Sequence, residues 1–359
     1  MLYHLLYPLR EHFFPFNLFR YITFRSAYAA FTAFIIVLIW MPHFIRFLRA
    51  HNWVAGIREP SLPRVSEKVG TPLGGGILIL IAIVIATLLW VNLKEPYVWL
   101  ALGTTLALGG LGFYDDYRKT HSSTDVRPRT KLIFPFVVGM VLAFVATYFP
   151  KNPYFTYKTS VLFLKDVYLN FGIFYIIFVG IVITATSNAV NLTDGIDGLS
   201  SGIMTQVATV YAVLAYIVGN VKLSQYLNLI YIPGGGELTI FLASMAGASL
   251  GFLWYNMHPA RIFMGDTGSM SLGGAIGAVA VLIKQEILLI LVGGIFVIEA
   301  LSVILQVISF KLRGKRIFLM TPLHHHFEKL GWPETHIMIR FWIANIILGI
   351  LALSTLKIR

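Results

Sequence analysis

The residues best equipped for chemistry in this chain are aspartates, and they fall in three short polar stretches beside apolar runs. The first is Gly112-Phe113-Tyr114-Asp115-Asp116-Tyr117-Arg118-Lys119. The second runs from Asn188 to Leu199, with Asn191, Asp194 and Asp197 inside it, and the third is Phe263-Met264-Gly265-Asp266-Thr267-Gly268-Ser269. Asp194 and Asp197 are three apart, so in a helix opening there both lie on one face near unpaired backbone N–H groups. Carboxylates gathered in that way bind a cation or orient groups that meet a phosphate; the plainer alternative is a pair of helix caps beside turn glycines. In the third stretch Gly265 and Gly268 permit close backbone approach, Thr267 and Ser269 offer hydroxyls, and Asp266 is a hard oxygen ligand. That combination suits a magnesium-bound phosphate, with a simple N-cap as its alternative. Asp115 and Asp116, followed by basic residues, read either as a site or as an interfacial ion pair.

Other polar groups complete the inventory. Lys68 precedes Val-Gly-Thr-Pro-Leu-Gly-Gly-Gly, ending at Gly76. With the lysine ahead of the glycines and no strand before it, this is not a nucleoside-triphosphate P-loop, and Lys68 becomes a candidate contact for an anionic substrate. His324, His325 and His326 are successive, so they point to different faces and do not readily share one ion, which favours hydrogen bonding to substrate over zinc. Glu299 and Gln306, two turns apart in an apolar run, share one face and imply a polar interior or an interhelical hydrogen-bond pair. The chain has no cysteine. Disulfides, thiolate nucleophiles and zinc-thiolate sites are excluded, and any metal is held by oxygen or imidazole.

The elements that must position these groups follow from composition. Of 359 residues 57% are hydrophobic and 12% charged, which marks an integral membrane protein. Ten apolar runs are long enough to cross a bilayer, at about 27–44, 74–93, 97–114, 131–149, 172–190, 199–219, 238–256, 269–283, 287–310 and 340–356. The predicted fold is one all-α polytopic domain over 1–359, with an interfacial segment at 1–26 and a polar loop at 311–339 bearing the three histidines. The net charge of +12 could suggest nucleic acid, but the basic residues sit in short loops, where they read as topology signals. Nucleic acid is therefore not an expected partner. Of 28 Lys and Arg residues, 17 fall in the loops after the odd-numbered runs, which places those loops in the cytoplasm and both termini outside. Asp115, Asp116, Asp194, Asp197 and Asp266, five of the seven aspartates, lie in that same set. Carboxylates are costly near lipid, so their convergence points to one cytoplasm-facing site. On the opposite face, near-alternation at Val161, Phe163 and Val167 suggests a short hairpin within 157–169.

Asp115-Asp116, Asn188 to Leu199, Phe263 to Ser269 and His324 to His326, in this order over nearly the whole chain, resemble the bacterial phospho-N-acetylmuramoyl-pentapeptide transferases. These belong to the polyprenyl-phosphate hexosamine-1-phosphate transferases; the triple histidine with Gly331-Trp332-Pro333-Glu334 resembles the muramoyl-pentapeptide branch in particular. The resemblance implies transfer of phospho-N-acetylmuramoyl-pentapeptide from UDP-N-acetylmuramoyl-pentapeptide to undecaprenyl phosphate, giving lipid I and UMP. It further implies Mg2+ and a homodimer among the lipids of the bacterial inner membrane. By position, Asp266 binds magnesium and Asp115 and Asp116 serve the lipid phosphate. Asn188, Asn191, Asp194 and Asp197 line the nucleotide and phosphate pocket; Lys68, Asn256 and Phe263 contact uridine; Lys119 and Lys131 meet phosphates. His324 is catalytic or substrate-positioning, beside His325 and His326, and Thr71 and Gln306 join the substrate-binding set. One departure is Thr71-Pro72-Leu73-Gly74-Gly75-Gly76, where related sequences often carry a second threonine in place of Leu73. A sister transferase for UDP-N-acetylglucosamine would share the acidic motifs and lack the histidines. A secondary transporter would hold its acids near mid-membrane, often in repeated halves, and no repeat is present.

Overall fold

The computed structural model describes residues 1–54, 70–122, 124–161, 163–164 and 167–357. Lys68 lies outside the described residues. The principal helices are α1 (Ile22–Ala50), α2 (Gly76–Trp90), α3 (Pro96–His121), α4 (Pro128–Tyr148), α5 (Tyr175–Thr193), α6 (Leu199–Val218), α7 (Leu238–Asn256), α8 (Gly265–Leu282), α9 (Gly294–Arg313), α10 (Leu323–Lys329) and α11 (Glu334–Ser354). Among the described residues eight helical segments, all of those named but α2, α8 and the short α10, are long and apolar enough to cross a membrane. The protein is thus an all-α membrane protein. The second and eighth apolar runs do form helices, but α2 has only 15 residues and α8 is diluted by Asp266, glycines and serines. The run expected over 287–310 is broken at Gly293, into a turn of helix at Leu289–Val292 and the long α9.

Local chemistry sets the element ends. Pro96 and Pro128 occupy the first positions of α3 and α4, where a missing N–H costs nothing and the ring presets φ. The N-terminal segment is not one interfacial helix: a short helix at Leu2–Leu6 gives way to 3-10 turns at Tyr7–Glu11 and Phe14–Arg20, with Pro8 and Pro15 at their starts. The hairpin exists, as β1 (Lys158–Ser160) antiparallel to β2 (Tyr168–Asn170), with Thr159 opposite Leu169. Val161 N–H donates to the Val167 carbonyl at 3.2 Å in the same register, whereas Phe163 falls in the connection with φ 63°. The strands are placed instead by buried polar contacts: the Thr159 hydroxyl donates to Glu286 Oε2 at 2.5 Å and Ser160 Oγ to the Lys284 carbonyl at 3.0 Å.

The centre of the molecule is α8, all of whose residues are buried. It packs on α3, α5 and α2, while α7 is held between α1 and α6. Two glycines make the central crossing possible. A Cβ at Gly76 would lie 2.1 Å from the Gly268 nitrogen, and one at Gly112 2.2 Å from the Asp266 carbonyl oxygen. With no side chain there, α2 and α3 press backbone to backbone against the first turn of α8. The segment before α2 is laid beside the same turn: Phe263 N–H donates to the Pro72 carbonyl at 2.8 Å, and Gly75 and Gly76 N–H to the carbonyls of Phe263 and Met264 at 2.9 Å each.

Candidate active site

Where α3 ends, α4 begins and α8 begins, five charged side chains meet. Asp115, Asp116 and Asp266 are buried, and one oxygen from each lies within 4.8 Å of the others. Lys131 Nζ bridges Asp115 Oδ2 at 2.8 Å and Asp266 Oδ2 at 2.6 Å. Lys119, one helical turn after Asp115, pairs with Asp115 and donates to Asp266 Oδ1 at 2.5 Å. Three carboxylates and two ammonium groups thus form one alternating cluster. Burial would forbid these charges singly; mutual pairing sustains them.

The adjacent aspartates face different partners. Asp115 turns to the lysines and accepts the Val126 N–H at 2.6 Å. Asp116 turns to α8, accepting the N–H groups of Asp266 and Thr267 at 2.9 Å each and the Thr267 hydroxyl at 2.6 Å. It is an N-cap supplied from another helix, satisfying donors that a helix start leaves open.

The end of α5 closes the cluster. Asn188 Nδ2 donates to the Lys131 carbonyl at 3.1 Å and Asn191 Nδ2 to Ser269 Oγ at 2.9 Å, so both asparagines fasten lysine and aspartate segments in place. Asp194 follows directly, outside the helix. Burial, then the carboxylates of Asp266, Asp116 and Asp197, push its pKa up to about 8, with Lys119 opposing. Its carboxyl is therefore neutral near pH 7 and is able to donate a hydrogen bond.

Asp197 faces the other way. Its Oδ2 accepts the Ala260 N–H at 3.0 Å and lies 3.1 Å from His258 Nδ1, with Glu334 Oε2 3.8 Å from the same ring nitrogen. His258 and Glu334 were not singled out in the sequence as partners of Asp197; only the Pro333-Glu334 helix-start pattern hinted at the second. Asn256 knits the same region, accepting from Gly198 N–H at 3.1 Å and Ser201 Oγ at 3.0 Å and donating to the Ile262 carbonyl at 3.0 Å. Phe263 is half-buried next to the Leu73 bridge, and Thr71 is half-buried two residues earlier.

The remaining candidates lie around α9 and α10. Gln306 Oε1 accepts the N–H groups of Ile317 and Phe318 at 2.9 and 3.0 Å, and its Nε2 donates to the Phe318 carbonyl at 2.9 Å. Its amide shapes the loop after α9 rather than pairing with Glu299. His326 Nδ1 accepts the Leu319 N–H at 3.1 Å, and His325 Nδ1 is 2.5 Å from Glu328 Oε2. His324 is 0% exposed, its Nδ1 3.3 Å from Glu299 Oε2. Burial lowers its pKa from the ordinary histidine value against the opposing effect of Glu299, which keeps the ring neutral at pH 7.

The sequence that builds this site has counterparts among known proteins. The Glycosyl transferase family 4 profile matches residues 98–284, the portion that contains all three acidic stretches. Over their full lengths, the chain is 49% identical to the phospho-N-acetylmuramoyl-pentapeptide-transferase of Desulfotalea psychrophila. It is 50% identical to the transferases of that name from Citrifermentans bemidjiense and Granulibacter bethesdensis, again over all of both chains. Identity of this extent, with the acidic motifs gathered in one cluster, means that the chain belongs to the phospho-N-acetylmuramoyl-pentapeptide-transferase family.

Proposed function

We propose that the protein transfers phospho-N-acetylmuramoyl-pentapeptide from its UDP carrier to undecaprenyl phosphate, releasing UMP. The observation that carries this reading is the cluster of Asp115, Asp116 and Asp266 interleaved with Lys119 and Lys131. Two phosphate-bearing substrates repel each other. A site for both needs fixed cations to offset that repulsion and to stabilise the leaving phosphate. The lysines supply them.

The donor set is made of carboxylate oxygens and fits a hard divalent cation such as Mg2+. Asp266 would hold it, because its oxygens are met by the side-chain ammonium groups of Lys119 and Lys131, which can turn to a phosphate and yield their place to the ion, whereas those of Asp116 are fixed by backbone N–H groups of α8. When bound, such an ion supplies charge neutralisation to a diphosphate. A phosphate monoester has a second pKa of about 6 and is mostly dianionic at pH 7, so the lipid phosphate attacks without a strong base. Its oxygen bonds to the sugar-bearing phosphorus, the bond to the uridylyl phosphate oxygen breaks, and UMP leaves. Asp115 orients both lysines, and neutral Asp194 donates to a phosphate oxygen. Asn188, Asn191 and Asp197 border the nucleotide pocket, with Phe263 and Thr71 toward the uridine; Lys68, outside the described residues, remains a uridine contact implied by the sequence alone.

In the finer reading the chain crosses the bacterial inner membrane ten times, with α2 and α8 as the shielded crossings, both termini outside and the cluster cytoplasmic. Two copies form a homodimer. The test is UMP release by purified protein given undecaprenyl phosphate and magnesium. UDP-N-acetylmuramoyl-pentapeptide should support it, and UDP-N-acetylglucosamine little or none; comparable turnover of both would place the protein on the sister branch.

A further inference from the structure

Gly195, in the middle of the turn that carries Asp194 and Asp197, is exposed to solvent on one side and rests on His324 on the other. A Cβ at Gly195 would lie 2.1 Å from His324 Nε2, 2.8 Å from Cε1 and 3.2 Å from Cδ2. The turn therefore sits on the ring edge, with no space for a side chain between them.

The ring has nowhere to retreat. It is 0% exposed, and Glu299, also 0% exposed, lies against it: the two oxygens accept the His324 backbone N–H at 3.1 and 3.4 Å, and Oε2 stands 3.3 Å from Nδ1 without hydrogen-bond geometry. A continuous stack thus runs from α9 through Glu299 and the start of α10 to the acidic turn. Neither ring nitrogen has a hydrogen-bond partner among the described residues, and Nε2 is the one that faces Gly195. A group that moves protons during turnover must come within hydrogen-bond reach of the substrate, directly or through one water. Here the Gly195 backbone occupies that approach.

We infer that His324 is a positioning residue, held by Glu299 as the floor on which the Asp194–Asp197 turn rests, and that Gly195 is glycine so that the turn can lie on it. The inference rests on the reading that this turn serves the nucleotide-sugar. Without its floor the turn loses its place between the carboxylate cluster and the His258 loop. The expected loss therefore falls on substrate binding more than on the chemical step.

Kinetics of Gly195→Ala, His324→Gln and the double variant test this. Each single change should raise KM for the nucleotide-sugar about 10-fold, with kcat reduced far less and the pH–rate profile unchanged in shape. The double variant should be no worse than the poorer single, because both remove one contact. Carbethoxylation of histidines, mapped by peptide mass, gives a readout that needs no substrate. Exposed His121 should react in the wild-type protein, His324 should be spared, and Gly195→Ala should make His324 reactive. A Gly195→Ala enzyme with wild-type kinetics would overturn the inference. So would a His324→Gln enzyme that loses ~100-fold or more in kcat together with one limb of its pH profile, or a wild-type His324 that reacts as readily as His121. If the wild-type protein releases no UMP from the muramoyl substrate, the substrate reading has failed, and the carbethoxylation pattern still decides the role of the ring.

Discussion

Replacing Asp116 by asparagine should unseat the start of α8 before it affects any chemical step. The carboxylate accepts three hydrogen bonds, from Asp266 N–H, Thr267 N–H and the Thr267 hydroxyl, at 2.9, 2.9 and 2.6 Å. Asparagine offers one acceptor oxygen, and its NH2 would confront at least one buried N–H. Hydrogen bonds to a charged group contribute roughly 1.5–3 kcal/mol each, and an orphaned buried donor costs a similar amount. Set against the relief of burying an amide in place of a carboxylate, the net loss should be about 2–4 kcal/mol. Thermal unfolding of the detergent-solubilised protein should then show a midpoint roughly 3–5 °C below wild type. Asp115→Asn should behave differently. Lys119 and Lys131 keep Asp266 as a partner and α8 stays capped, so its midpoint should move little while UMP release falls. Thr267→Val combined with Asp116→Asn should destabilise less than the sum of the two, since both remove the same contact. An Asp116→Asn protein as stable as wild type yet inactive would refute the capping role and return Asp116 to direct chemistry.

Asp266→Asn should abolish UMP release while the protein still inserts and unfolds near the wild-type temperature; near-normal turnover at ordinary magnesium concentrations would remove Asp266 from the metal site. Asp194 provides a pH test. Its folded-state pKa of about 8 stands above the ordinary aspartate value of 3.8, so the folded state binds the extra proton and stability declines as pH rises from about 4 through 8. Asp194→Asn, which cannot ionise, should match wild type at or just below pH 4 and unfold about 3 °C or more higher at pH 9; a pH-independent difference would contradict the raised pKa. Gly76→Ala should cost on the order of 3 kcal/mol by overpacking against the Gly268 backbone, seen as lost monodisperse protein on size-exclusion chromatography. Gly103→Ala, where a Cβ meets nothing within 4 Å, is the matched control and should be neutral.

The acidic stretches were legible because carboxylates at the ends of apolar runs are expensive and their convergence demands a reason. The apolar runs were legible for the converse reason, and each of the ten regions holds a helix, though Gly293 breaks the ninth. What the sequence concealed depends on how helices cross. Asp115 and Asp116 are chemically identical neighbours, and only the approach of α3 to α8 at Gly112 turns one to the lysines and the other to backbone. Gln306 was grouped by spacing with Glu299, yet its amide is satisfied by the Ile317–Phe318 backbone, a partner that no periodicity announces. The hairpin was placed near its true position, but its short strands are aligned by Glu286 and Lys284, more than a hundred residues away.

The complete enclosure of α8 bears on how the protein is assembled in the bilayer. A segment with an aspartate, two serines and five glycines gains little from lipid on its own, whereas α3 and α5 are long and apolar enough to partition singly. It becomes stable only when α2, α3 and α5 are present to receive it, and all three precede it in the chain. The earlier helices therefore form a cradle into which the later one docks, and the acidic cluster comes into being at that docking event. A chain interrupted before Gly265 should still insert its first helices, but it would leave an open slot of small residues in the membrane, a recognisable target for quality-control proteolysis.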